Sequence, residues 1–328
     1  MTATIVLLVK NGAQYLSEVL DGIHRQTTDI PVRVLAVDSG SVDGSLDILA
    51  EHGVETIEIP SETFNHGGTR NLGAKLAGVD TDYVVYLTQD ASPADASWLD
   101  TLVAPLRADP DVAGAFSRHI ARPGSSPALV RQLTERWQSG QPTRLVKEMP
   151  EDQGEYQRNK LHYTYFSDTS SAIRRSVWEE IPFPRTDFAE DAAWADQVLL
   201  AGHRIVFEPA STVIHSHDYS LVEQFRQNVD HAAGMQKLFP AASRLDGWGW
   251  VRAFLAIPRE VVADWRFMHL SPPFRGSPVL SMAVWAVHSP LWHAVSILGA
   301  WVGTHSSHLP ARWWSLISRQ ERLRGGSL

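Results

Sequence analysis

Apolar runs of strand length alternate with helical spacing through the first ninety or so residues, and this alternation restricts the fold more than any other feature of the chain. Ile5 to Val9 is a continuous apolar run closed by the turn signal Asn11-Gly12, after which Leu16, Val19, Leu20 and Ile23 recur at helical spacing. Val32 to Val37 repeats the strand pattern and ends in Asp38-Ser39-Gly40-Ser41, and Leu46, Ile48 and Leu49 then fit a helix. Val54 to Ile59 reads as a third strand, Arg70 to Leu76 as another helix and Tyr83 to Leu87 as a fourth strand. Strands covered on both faces lose the apolar–polar alternation. The pattern therefore predicts an α/β fold, a mostly parallel sheet flanked by helices. Such sheets bind ligands beyond the carboxyl ends of their strands, so chemistry is expected in the polar clusters after strands two and four.

Residues 120 to 160 are rich in Pro, Gly, Gln and charge and predict a long, mobile insertion. Regular structure is expected again at Phe166 to Arg174 and at Arg204 to Phe207. Beyond residue 240 the character changes: eight of the twelve tryptophans lie there, which sets an expected division into a catalytic domain, 1–240, and a helical appendage, 241–328. Val279 to Val302 is largely apolar but holds His288, Pro290 and His293. A spanning helix needs about twenty apolar residues without interruption, and Pro290 is expected to break the run into two short helices. Two readings stay open for this tail. One is a buried helical pair or homodimer surface. The other is a peripheral membrane contact, with Trp313, Trp314, Arg312, Arg319, Arg322 and Arg324 at the headgroup level.

Charge and cysteine content remove several functions. With 29 Lys and Arg against 37 Asp and Glu the chain carries −8, which argues against nucleic acid as its partner. The absence of cysteine excludes disulfides, thiolate zinc sites and a cysteine nucleophile. The start, Met1-Thr2-Ala3-Thr4-Ile5-Val6, has no basic n-region, so no secretory signal is read and a cytoplasmic location, with or without peripheral contact at the inner membrane face, is expected.

Four polar clusters could carry chemistry, and each has a plain alternative. Asp38 ends a strand, where a carboxylate can accept hydrogen bonds from a nucleoside; it also suits a turn or helix cap. Asp90, in Thr88-Gln89-Asp90-Ala91, can hold Mg²⁺ or Mn²⁺, which favour oxygen ligands, though loop aspartates are common. Glu190-Asp191 precedes a helical run and offers a general base for a hydroxyl, or simply favourable acidic residues at a helix N-terminus. His215 and His217, two apart after Thr212-Val213-Ile214, face one side and could join a metal sphere, or stand as polar surface.

Taken in order, these segments resemble the inverting family 2 glycosyltransferases of the GT-A fold. Asn11-Gly12 with Leu16 and Leu20, followed by Asp38-Ser39-Gly40-Ser41-Val42-Asp43-Gly44, is similar to the opening of that family. Phe64-Asn65-His66-Gly67-Gly68-Thr69-Arg70-Asn71 and Leu87-Thr88-Gln89-Asp90-Ala91-Ser92-Pro93 resemble its rhamnosyltransferase branch. Ser170-Ser171-Ala172-Ile173-Arg174 with Trp178, Glu190-Asp191-Ala192-Ala193-Trp194 and His215-Ser216-His217-Asp218 continue the likeness, which covers roughly residues 4 to 240. The resemblance implies that Asp38 contacts the donor's base or ribose, that Arg70 lies near its ribose or phosphates, and that Lys10, Asn11 and Gln89 belong to the donor side. It implies Asp90 as the metal carboxylate of an Asp-x-Asp motif, with His217 or His215 completing the sphere. Asp191 matches the catalytic base, and Glu190 and Trp194 the acceptor pocket. One departure is visible: Gln89 and Ala91 flank Asp90, so a single carboxylate stands where many relatives have two. The implied activity is inverting transfer of L-rhamnose from dTDP-L-rhamnose, with a divalent cation, to a glycan or lipid-linked acceptor. Two other classes compete. A sugar-nucleotide pyrophosphorylase would show a Gly-rich basic phosphate loop, which Lys10-Asn11-Gly12-Ala13 matches poorly. A non-catalytic nucleotide-sugar binder is compatible with the same fold.

Overall fold

The apolar runs become the strands of one mixed sheet. The structure, a computed structural model, describes residues 1–186, 189–240, 247–271, 274, 279–306 and 309–319. Its strands are β1 (Ala3–Val9), β2 (Val32–Asp38), β3 (Glu55–Glu58), β4 (Tyr83–Thr88), β5 (Ser92–Pro93), β6 (Val112–Ile120), β7 (Leu145–Lys147), β8 (Ser170–Arg174) and β9 (Arg204–Ile214). Its α-helices are α1 (Ala13–His24), α2 (Ser45–Glu51), α3 (His66–Leu76), α4 (Trp98–Ala108), α5 (Pro127–Glu135), α6 (Gln153–Arg158), α7 (Lys160–Tyr163), α8 (Arg175–Glu180), α9 (Glu190–Leu200), α10 (Leu221–Leu238), α11 (Gly247–Leu255), α12 (Ile257–Leu270), α13 (Val279–Thr304) and α14 (Ala311–Ile317).

The chain divides into two compact units, Met1–Ile120 with Trp137–His215, and Ala121–Arg136 with Ser216–Leu328. In the first, the sheet order is β3-β2-β1-β4-β8-β6-β9-β5, with β7 also paired to β9. The strands β3, β2, β1 and β4 are parallel, as the alternation predicts, whereas β8 runs antiparallel between β4 and β6. Alternate residues of β1 enter two cores. Ile5, Leu7 and Val9 pack with Leu16, Leu20, Trp98 and Leu102 of α1 and α4, while Val6 packs with Tyr86, Phe116 and Trp194 on the other face. Each fully buried Leu or Ile there contributes about 1.5–3 kcal/mol relative to exposure. Gly73 lets α3 lie directly on β1, because a Cβ there would stand 2.4 Å from Val6 Cγ1.

Three expectations are corrected. Residues 120 to 160 are not an unstructured insertion: Ser126 caps α5, Asp152 caps α6, and β7 joins the sheet edge. The compositional boundary at 240 falls inside the second unit, because α10 packs along α13. Gly299 and Gly303 meet the backbone of Phe225 and Val229 so closely that a Cβ would stand 2.4 and 2.3 Å from their carbonyl oxygens. Third, α13 runs as one helix through Pro290. The ring sacrifices one backbone bond. Ser289 and His293, on either side of it, both bond the buried Asp264 of α12, His293 Nε2 at 2.8 Å, and hold the two halves together.

The expected pair of short helices is therefore replaced by one long helix, which packs against α10 within the second unit. Trp292 is buried, whereas Trp301 and Trp313 are exposed, and Arg319 stacks over the Tyr219 ring at 5.0 Å. Nothing is described of the Arg312 side chain, and Arg322 and Arg324 lie outside the described residues. Among the described residues no helix is long and apolar enough to cross a membrane.

Candidate active site

The ends of β1, β2 and β4 are knitted together by residues expected on the donor side. Gln89 forms a reciprocal amide pair with the Lys10 backbone: Lys10 N–H donates to Oε1 at 2.8 Å and Nε2 donates to Lys10 O at 3.0 Å. Gly12 leaves room for this clip, since a Cβ there would stand 2.5 Å from Gln89 Oε1. Lys10 Nζ spends its three protons on Ser39 O, Gly40 O and Ser61 Oγ, at 2.9, 2.7 and 2.7 Å. Asn11, at φ 50°, accepts Val42 N–H at 2.9 Å. Asp38 is fully buried and accepts Gly40 N–H and Ser41 N–H at 2.7 and 2.8 Å, so it shapes its own loop. Lys10, Asn11, Asp38 and Gln89 are therefore gathered at one edge, with much of their hydrogen-bonding capacity committed to holding it.

Asp90 lies two residues past β4 and faces His215, which follows β9, with Oδ1 and Nε2 3.5 Å apart. His215 N–H bonds Ile120 O at 2.9 Å, which fixes the strand end. His217 follows two peptide bonds later at the start of the second unit. One ligand atom of each of these three residues lies within 4.8 Å of the others. A carboxylate and two imidazoles at that spacing suit a divalent cation. Behind them His119 of β6 packs edge-on to His215, centroids 5.6 Å apart, and its Nε2 has no hydrogen-bond partner among the described residues. Burial, with His215 as a lesser cause, pushes the His119 pKa down to about 3, so this ring is neutral.

A second cluster forms around Arg70 of α3. Its Nε lies 3.1 Å from Asp168 Oδ2, poorly aligned for a hydrogen bond, and its Nη1 pairs with Glu190. All three side chains are buried. Asp168 is held by Ser171 Oγ at 2.7 Å. It joins the edge described above because Thr88 N–H bonds Thr169 O at 3.0 Å where β4 meets β8. Asp191, next to Glu190, accepts Ala192 N–H on Oδ1 at 2.8 Å, and its Oδ2 has no partner among the described residues. Burial first, then the charges of Glu190 and Asp168, raise the Asp191 pKa well above the ordinary carboxylate value, and Arg70 offsets only part of this. Burial also lifts Asp168 to about 6. These titrations belong to the group as a whole. The helix that carries Asp191 begins at Ala189, at φ 55° and ψ 36°, a left-handed conformation that a non-glycine residue adopts at a cost of about 1–2 kcal/mol. Strain of this kind gathers at functional sites.

The structure redirects three expected roles. Arg70 is neutralised by two carboxylates instead of facing open space for a phosphate. Glu190 is turned onto Arg70. Trp194 is fully buried, stacked on Phe183 at 5.3 Å with its Nε1 bonded to Ile181 O, because α9 needs a large apolar anchor against β6. Sequence reading missed Asp168 and His119. The signal for Asp168 was a polar run, Ser167-Asp168-Thr169-Ser170-Ser171, entering an apolar strand.

The chain is similar to known proteins in sequence and in fold. The family described as glycosyl transferase family 2 matches residues 4–181. The chain is 28% identical over 313 residues to the O-antigen chain rhamnosyltransferase RfbN of Salmonella typhimurium, covering 94% of this chain and 92% of the relative. It is 27% identical to the O-antigen chain rhamnosyltransferase WbaN of Salmonella anatum, covering 93% and 90%. Among solved structures, the mannosyltransferase PcManGT from Pyrobaculum calidifontis, in complex with GDP-Man and Mn²⁺, superposes with a TM-score of 0.56 at 18% identity, over 94% of this chain and 88% of that one. S. aureus TarS 1–349 gives 0.51 at 15% identity, over 94% and 91%.

Proposed function

The chain belongs to glycosyl transferase family 2 and is a GT-A glycosyltransferase, and on that premise we propose that it transfers L-rhamnose from dTDP-L-rhamnose to a hydroxyl of a glycan or lipid-linked acceptor. The choice of rhamnose rests on the two relatives named as O-antigen chain rhamnosyltransferases. The single observation that carries the chemistry is Asp191, a carboxylate of raised pKa with one unengaged oxygen at the start of α9.

Asp191 acts as the general base. Its Oδ2 takes the hydroxyl proton of the acceptor as that oxygen bonds to the anomeric carbon, while the bond to the nucleoside diphosphate breaks on the opposite face. One displacement inverts the centre, so a β-linked donor gives an α-rhamnoside. A base is most effective when its pKa approaches the working pH, and burial, with the Glu190 and Asp168 charges, pushes Asp191 that way. Arg70 keeps the crowded acids in place and limits the rise. Asp90, His215 and His217 would hold a divalent cation, which when bound would offset charge on the departing diphosphate. With two imidazoles in the set we assign Mn²⁺ over Mg²⁺, which favours oxygen ligands. Lys10, Asn11, Asp38 and Gln89 form the rim that receives the nucleotide.

A panel of nucleotide-sugars incubated with Mn²⁺ and the purified chain tests the donor assignment. Tight binding and slow hydrolysis of dTDP-L-rhamnose, with weaker binding of UDP- and GDP-hexoses, is expected; preference for a hexose donor would overturn it.

A further inference from the structure

We infer that the outward face of α11 and α12 docks on an anionic lipid bilayer. The two helices run almost without a break, since Ala256 keeps helical angles, its N–H bonds Arg252 O at 3.0 Å and its carbonyl accepts Glu260 N–H at 3.1 Å. Trp248, Arg252, Leu255, Arg259, Val262, Arg266 and Leu270 recur every three or four residues and are all exposed, so they form one stripe. Trp248 and Leu255 are each 74% exposed and Leu270 is 78% exposed. A helix on an ordinary water-facing surface turns such residues inward. Val261, Trp265 and His269 widen the stripe into an open, mostly apolar hollow.

Charge decides the occupant. The only acids of this segment, Glu260 and Asp264, face inward: Glu260 pairs with Arg131 and Arg136, and Asp264 with Arg131. The exposed side chains of the stripe are arginines and large apolar groups, and Arg259 and Arg266 make it cationic in a chain of net charge −8. Arginine stems can lie along apolar surface while their heads reach headgroup phosphates, and tryptophan suits the same depth. A second copy of the chain is a poor occupant, because a two-fold contact sets the same arginines against one another. A surface of negative lipid satisfies both the charge and the apolar residues.

The test is co-sedimentation of the full chain with vesicles of phosphatidylcholine alone or mixed with phosphatidylglycerol. The protein is expected to pellet with the anionic vesicles only, and less so at high salt. Each arginine near such a surface is worth about fivefold in partitioning, so R259Q/R266Q should lose about twenty-fivefold. L255S should weaken binding as well, whereas R158Q, an exposed arginine of the first unit, should not. The substituted positions are exposed, and circular dichroism identical to wild type establishes that the fold is kept. Equal pelleting with neutral vesicles, no pelleting, or wild-type pelleting of the double variant would each overturn the proposal. So would a lipid-free dimer that L255S converts to monomer.

Discussion

Arg70→Met removes the guanidinium that pairs with Asp168 and Glu190 in a group of three carboxylates, and its cost should depend on pH in a defined direction. The Arg70, Asp168 and Glu190 side chains are 8%, 1% and 8% exposed, so water cannot replace the guanidinium. Breaking a buried pair in this way costs about 3–5 kcal/mol, because the partner is left charged and unpaired. Methionine keeps most of the volume, so packing adds little. Asp168 already stands near 6 with Arg70 beside it, and Asp191 is also raised; both rise further without it. In the unfolded chain they titrate near about 3.9. A raised folded pKa costs stability only above the unfolded value. The loss therefore grows as pH climbs from about 4 to the folded pKa and is complete beyond it. Equilibrium urea unfolding of wild type and variant should show the full gap at alkaline pH. On the acid side the gap should shrink by about 1.4 kcal/mol per pH unit for each carboxyl that is protonated in the folded variant but ionised in the folded wild type. A gap below about 1 kcal/mol, well under the cost of a broken buried pair, would refute the argument, as would one that does not change with pH.

The same electrostatics places the acid limb of kcat/KM above the ordinary carboxylate range, and Glu190→Gln should move that limb down, because the Glu190 charge is one cause of the Asp191 shift. A limb unmoved by this change would remove Asp191 from the titrating group. Gly12→Ala should break the clip between Gln89 and Lys10, lowering stability by about 1–3 kcal/mol and weakening nucleotide binding; a neutral effect in urea unfolding would count against the clip. Asp90→Asn should weaken Mn²⁺ binding, read by electron paramagnetic resonance, at least about tenfold while leaving the unfolding midpoint in place. Full transfer activity of wild type in excess chelator would oppose the cation assignment.

The parallel half of the sheet was legible because β1, β4 and the second half of β2 are buried on both faces, and their continuous apolar runs record that directly. Antiparallel β8 was not, because register and direction are set by contacts across the sheet that a local pattern does not carry. Pro290 misled for a related reason: local propensity breaks a helix there, but Ser289 and His293 on Asp264 outweigh it. Asp90, His215 and His217 could be read as a group only through the order of motifs, since 125 residues separate the first from the second. Trp194 shows the converse. It lies in the matching motif, yet the space between Phe166, Phe183 and Gly114 makes it a core residue. Asp168 was passed over because a lone aspartate in a Ser/Thr run gives no sign that a distant arginine waits for it.

The central claim, that Asp191 is the base of an inverting sugar transfer, is tested most directly by Asp191→Asn assayed for both donor binding and turnover. The amide keeps the shape and the bond from Ala192 N–H, but it cannot take up a proton in the same way. General-base catalysis is worth about 10²–10⁴-fold, so turnover should fall at least about a hundredfold. Donor affinity should stay near wild type, since the proton moves only as the bond forms. Near-normal turnover in the Asp191→Asn enzyme would contradict the account and put the base elsewhere in the Arg70 cluster.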